Sequence, residues 1–146
     1  MSQSLITAMV VEDDANFRGM TAFMLRRMGF RSVAAVEDAE SAWTGLNFVR
    51  FDFILCDLGL GPMDGLELLR RVRASAVMAD AVFMLMSANL SEEIWREAIK
   101  AGATEFLVKP FSWAELRDAV EVALRAPAAM GPNVVRFPRT RLAGRP

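Results

Sequence analysis

The sequence predicts an α/β fold, a doubly wound (βα)5 domain whose five-stranded parallel sheet carries helices on both faces. Three observations point there. Short apolar runs alternate with segments of helical period, five times over. The runs are almost continuously apolar, as strands buried on both faces must be. The length, 146 residues, makes one domain rather than two at roughly 100–200 residues each, and it is enough to build a core without disulfide or metal staples.

The elements follow in order. Residues 5–11 are a buried strand that runs into Glu12, Asp13 and Asp14. Over 15–28, Phe17, Met20, Phe23, Met24 and Met28 recur near the helical period and Gly29 stops the run, with Asp14 as cap or first-turn acid. Residues 31–36 make a short strand, and Asp38 caps a helix over 39–48. The clean apolar run 53–56 ends in Asp57. A loop containing Gly59, Gly61 and Pro62 follows, then Asp64-Gly65 as the turn into a helix over 66–72. Residues 82–86 form a strand ending in Ser87. Ser91, Glu92 and Glu93 open a helix that Gly102 closes. Residues 105–108 are the last strand and lead to Lys109-Pro110. Ser112 with Glu115 three residues on is a capping box for a helix reaching about Arg125.

Met20, Met24 and Met28 lie on one helical stripe and, with Met84 and Met86 in a strand, are assigned to the core. Cys56, on a buried strand, is assigned as an inert thiol. Residues 1–126 are assigned to the domain. The remainder, 127–146, holds four prolines, four arginines and no acid, and is expected to be a disordered tail, with the run 134–137 as an alternative strand or docking segment within it. That segment carries +4, so the net charge of −1 leaves −5 on the rest of the chain. An acidic body argues against nucleic-acid binding.

Other classes fall on composition. The chain has no histidine, which removes histidine-based triads and histidine-ligated zinc or haem. A single cysteine permits no intramolecular disulfide, so a cytoplasmic location is expected. The start lacks the basic region of a secretory signal, and no apolar run nears the ~20 residues that span a bilayer, so no membrane role is expected.

In folds of this class the site lies beyond the carboxyl ends of the strands. Those ends carry Glu12 and Asp13, then Asp57, Ser87 and Lys109. Three carboxylates at one sheet edge repel one another, and a hard divalent cation, Mg²⁺ or Mn²⁺, resolves the conflict with oxygen ligands. Lys109 adds a second positive charge. A carboxylate so placed can attack phosphorus while cation and lysine neutralise the transferring oxygens.

Six stretches carry a family resemblance: Val10-Val11-Glu12-Asp13-Asp14, Phe53-Ile54-Leu55-Cys56-Asp57-Leu58, Met63-Asp64-Gly65-Leu66-Glu67-Leu68-Leu69, Met86-Ser87-Ala88, Ala101-Gly102-Ala103 and Phe106-Leu107-Val108-Lys109-Pro110-Phe111. Each is weak alone. In this order they resemble the receiver domain of two-component response regulators, the CheY-like member of the flavodoxin-like folds, over residues 5–125.

The resemblance implies roles. Asp57 matches the phosphoacceptor, Asp13 the direct metal ligand, Glu12 a ligand acting through water, and the Gly59 backbone carbonyl the third protein ligand. Ser87 matches the hydroxyl that turns toward the phosphoryl group, Lys109 the lysine that contacts its oxygen, and Phe106 the aromatic switch position. The bond before Pro110 is usually cis in the family. Trp95, Phe106 and Trp113 fall on the usual docking or dimer face, where exposed tryptophans would be hot spots. The resemblance further implies a sensor histidine kinase or phosphotransfer protein as donor, a downstream protein target, a possible homodimer, and a switch rather than an enzyme. Phosphoryl lifetime in the family depends partly on the positions of Gly59 and Asn89.

Three departures stand out. Gly61 precedes Pro62 where the family has proline first, which predicts an altered loop that Gly59 and Gly61 leave free. Phe106 lacks a hydroxyl, and Ser87 lacks the β-branch of threonine. The loop exchange keeps open the alternative of a receiver that binds proteins without phosphorylation. A phosphatase with a strand-end aspartate nucleophile needs a second aspartate two residues later, where Gly59 stands. No G-x-G-x-x-G follows the first strand, which removes dinucleotide binding.

Overall fold

The apolar runs become five parallel strands, β1 (Thr7–Val11), β2 (Ser32–Val36), β3 (Phe53–Asp57), β4 (Val82–Ser87) and β5 (Glu105–Val108), in a computed structural model that describes residues 3–125. Between and after them lie α1 (Ala15–Arg27), α2 (Ala39–Leu46), α3 (Gly65–Ala74), α4 (Glu92–Ala101) and α5 (Trp113–Arg125). The strand order is β2-β1-β3-β4-β5. The order reverses between β1 and β3, so a crevice opens there at the carboxyl ends of the strands. The expected architecture is the observed one.

Strand alternation divides the core into two layers. Met9, Val11, Ile54, Cys56, Phe83, Leu85 and Phe106 face α2, α3 and α4. Ala8, Val10, Phe53, Leu55, Met84, Met86 and Leu107 face α1 and α5. Every residue of β3 is buried, which accounts for its unbroken apolar run.

Helix starts follow local chemistry. The side chains of Asp14, Asp38, Asp64 and Ser91 accept from the backbone N–H three residues on. Ser112 and Glu115 form the reciprocal box, the Glu115 N–H donating to Ser112 Oγ at 3.1 Å and the Ser112 N–H to Glu115 Oε1 at 2.8 Å. Gly102 ends α4 at φ 105°, in the left-handed region that favours glycine.

Three expectations need correction. β1 begins at Thr7, because Gln3–Leu5 form a 3-10 turn that leaves Leu5 exposed. α2 stops at Leu46, and Phe48 beyond it is 83% exposed. In α1 the buried arc is Thr21, Ala22, Met24 and Leu25, whereas Met20 and Phe23 face solvent. A pattern counted on large side chains misses small residues that let a helix approach its sheet. Residues 127–146 lie outside the described residues. No described helix is long and apolar enough to cross a membrane.

Candidate functional site

The strand ends meet as their order requires. Asp57 closes β3, and Glu12 and Asp13 follow β1, its neighbour in the sheet. One carboxylate oxygen from each of the three lies within 4.8 Å of the others. Glu12 is almost fully buried, Asp57 is buried and Asp13 is exposed. All donors are oxygen, and the exposed side leaves room for water, so the set fits a hard, hydrated divalent cation. Gly59, two residues past Asp57, is exposed in the loop that follows β3.

Lys109 reaches this cluster from the end of β5. Its Nζ donates to Glu12 Oε1 at 2.7 Å and stands 3.5 Å from Asp57 Oδ2. Burial pushes the Glu12 carboxyl above its ordinary value, and the Asp57 charge adds to this; the bonds from Lys109 and from the Asp14 N–H pull back without cancelling it. Burial works against the Lys109 proton, but the Glu12 hydrogen bond and the Asp57 and Glu12 charges outweigh it and raise its pKa. Lys109 is therefore a fixed cation at neutral pH. The bond to Pro110 is cis.

The remaining residues split. Ser87 Oγ is turned onto its own loop, donating to the Asn89 carbonyl at 3.0 Å and accepting from the Asn89 N–H at 3.1 Å. Phe106 is 3% exposed and packs edge-on against Trp95, with ring centroids 6.1 Å apart. Trp95 is itself 2% exposed, so the expected exposed tryptophan pair is corrected to one, Trp113 at the start of α5. The period placed Trp95 on α4 but could not say which side of that helix meets β5.

The loop after Asp57 is tied at both ends, Leu58 N–H to the Met86 carbonyl and Gly65 N–H to the Leu58 carbonyl, with Met63 N–H held by Glu40 Oε2. Neither Gly59 nor Gly61 adopts a positive φ. Two neighbours escaped sequence reasoning. A Cβ on Gly65 would overlap the Asp57 carbonyl oxygen. The ring of Phe17 lies over Lys109 Nζ, 4.7 Å from it. A glycine directly after the Asp64 cap, at a position open to any residue, was the available sign for the first.

Fold and site together define a doubly wound domain with an acidic cation pocket at its topological switch point and one lysine fixed within it. The response regulator receiver domain profile matches residues 8–121, and the chain belongs to that family. It is 30% identical over 113 residues to the chemotaxis protein CheY of Pseudomonas aeruginosa, covering 77% of this chain and 91% of that protein. It is 34% identical over 117 residues to the phosphate regulon transcriptional regulatory protein PhoB of Klebsiella pneumoniae, covering 80% of this chain and 51% of that longer protein. Among solved structures, CheY4 of Vibrio cholerae superposes with TM-score 0.77 at 26% identity, covering 82% of this chain and 98% of that one. The receiver domain of the sensor histidine kinase PA1611 of Pseudomonas aeruginosa, with a magnesium ion coordinated in its active-site cleft, gives TM-score 0.72 at 29% identity, covering 80% and 95%.

Proposed function

We propose that the chain is a phosphoacceptor switch in which Asp57 takes a phosphoryl group from a sensor histidine kinase or phosphotransfer protein. The observation that carries this reading is the convergence of Glu12, Asp13 and Asp57 with Lys109 at 3.5 Å from the Asp57 carboxylate. Mg²⁺ or Mn²⁺ would be held by Glu12, Asp13, Asp57 and the Gly59 carbonyl, and when bound it supplies charge neutralisation for phosphoryl oxygens. Lys109 supplies the second cation, and Ser87 follows by leaving Asn89 for a phosphoryl oxygen. These 146 residues contain no histidine, so a phosphohistidine donor would lie outside them. Output then runs through protein contact, with Trp113 as the exposed aromatic of the α4–β5–α5 face.

In this reading the chain is a switch and a substrate rather than an enzyme, and its lone buried thiol suits a reducing cytoplasm. Incubation with acetyl phosphate and Mg²⁺, read by intact mass, tests it. One added phosphoryl group, lost in Asp57→Asn and in metal-free buffer, is the expected result. A gain that survives Asp57→Asn overturns Asp57 as the acceptor, and no gain at all overturns the reading in favour of a phosphorylation-independent binding module.

A further inference from the structure

Phe17 sits at the N-terminal turn of α1, three residues past the Asp14 cap that receives its N–H at 2.9 Å. Its ring lies over the Lys109 ammonium, 4.7 Å from nitrogen to centroid. The ring is fixed in turn by Phe111, which is buried and meets it edge to face at 5.2 Å and 81°. Phe111 follows Lys109 by two residues, so one short loop carries both the lysine and the support of its cover. The first turn of α1 and the segment after β5 are thus clasped over one ammonium.

That ammonium has three N–H donors and stands among Glu12 at 2.7 Å, Asp57 at 3.5 Å and the ring face. The Lys109 side chain is only 17% exposed. An aromatic face attracts a cation but offers no lone pair that could compete with an incoming phosphoryl oxygen. Water in its place would compete and would exchange. A packed ring also denies a flexible four-carbon side chain the route outward to solvent.

We propose that Phe17 is a positioning residue for phosphoryl transfer, its ring holding the Lys109 ammonium beside Asp57 before the donor arrives. The proposal rests on the phosphoacceptor reading of Asp57. In the step itself, an Asp57 carboxylate oxygen forms a bond to phosphorus. The bond from phosphorus to the acetyl oxygen of acetyl phosphate breaks, and acetate leaves with the electron pair and needs no proton. Negative charge spreads over the three transferring oxygens, one of which meets an ammonium already in place.

The chain has only two lysines, Lys100 and Lys109, so protein labelled with ¹³C-lysine gives two resolvable ε-methylene signals. In the metal-free protein the Lys109 signal is expected upfield, in the shielding region of the Phe17 ring, with Lys100 at the ordinary position; Lys109→Arg assigns them. Phe17→Leu is expected to abolish that shift and slow phosphorylation by acetyl phosphate at saturating Mg²⁺ roughly threefold to tenfold, the range a partly desolvated cation–π contact supports. Mg²⁺ affinity, read separately, is expected to stay unchanged, because the carboxylates are untouched. Phe17→Tyr is expected to restore both shift and rate.

A wild-type Lys109 signal at the ordinary position overturns the proposal. So does a leucine variant with the wild-type rate, or a rate that falls only in step with Mg²⁺ affinity. If the leucine variant unfolds, the same readouts on Phe17→Met, whose flexible side chain fills the gap, decide. If the wild-type protein accepts no phosphoryl group, the Asp57 reading fails and the transfer role fails with it. The upfield signal in that same sample still reports whether the contact exists, which tells the two failures apart.

Discussion

Glycine 65 stands where α3 begins, and its missing side chain sets how closely that helix approaches Asp57. A Cβ there would overlap the Asp57 carbonyl oxygen and lie 3.1 Å from the Asp57 carbonyl carbon and from Leu58 Cα. All three are backbone atoms, so nothing flexible can give way. Gly65→Ala is expected to cost about 1–3 kcal/mol in urea unfolding, the usual range for overpacking, and to slow Asp57 phosphorylation by moving β3. Gly59 and Gly61 are the control. A Cβ at either meets nothing within 4 Å, and neither has a positive φ. Gly59→Ala and Gly61→Ala are expected to be neutral or to stabilise by about 0.4–1 kcal/mol, through the unfolded chain alone. An equal loss at all three positions would contradict this account. Cys56 makes a second residue-scale case. Burial, with the Asp57 and Glu12 charges behind it, pushes its thiol well above the ordinary value. Iodoacetamide is therefore expected to leave the native protein unmodified, and alkylation should appear only as urea unfolds it.

At the scale of elements, the helix caps were legible because a cap is a local event. Asp14, Asp38, Ser91 and Ser112 each bond a backbone group three residues away, and the residue type announces the bond. Asp38 yields a pH prediction. The Ser41 backbone N–H, helped by the Ser41 hydroxyl, holds its carboxyl below the ordinary 3.8. The folded state thus prefers the ionised form. Its contribution is complete above 3.8 and is lost as pH falls through the lower native value. The gap in urea midpoint between wild type and Asp38→Ala is expected to be constant near neutrality and to narrow as pH falls below 3.8; a constant gap throughout would refute the assignment. Arg73 could not be found by any local rule. From α3 its guanidinium donates to the carbonyls of Ala79, Ala81 and Gly102 at 2.6–2.9 Å, and to Thr104 Oγ1 at 3.3 Å. These partners lie 6 to 31 residues away, in the segment before β4 and in the loop between α4 and β5. An exposed arginine at the same helical position has an identical sequence signature. Burial lowers its pKa, with Asp80 opposing, yet a guanidinium stays charged throughout the working range. Arg73→Met keeps the stem and strips the donors, leaving carbonyls unpaired. Its expected cost is about 2–4 kcal/mol in urea unfolding, with Mg²⁺ affinity at the far end of the sheet unchanged.

Across the whole molecule, the alternation of apolar runs and helical period made the fold readable, and strand ends made the site readable, because in a doubly wound sheet topology converts sequence position into spatial convergence. What sequence could not reach was the choice of side for each helical residue. Trp95 shows the consequence. Expected at the surface, it lies between α4 and the sheet, edge-on to Phe106. Phe106 is therefore already packed inward while Ser87 is engaged with Asn89. Magnitudes decide what can move. Freeing a tryptophan exposes about 150–250 Å², which at ~25 cal/mol/Å² costs about 4–6 kcal/mol. Couplings between a site and a distant surface are typically about 1–3 kcal/mol, so phosphorylation lacks the free energy to pry Trp95 out. In the proposed switch the signal would then travel by the smaller motion, Ser87 leaving Asn89 and reshaping the loop before α4, with Trp113 the aromatic exposed at the start of α5. A Trp43→Phe/Trp113→Phe protein isolates the Trp95 emission. That emission is expected to stay blue-shifted and shielded from acrylamide in the metal-free protein and with Mg²⁺ and beryllofluoride alike. A red shift with new quenching on adding beryllofluoride would mean that α4 lifts from the sheet, and that the Trp95–Phe106 contact is the moving part rather than the fixed one.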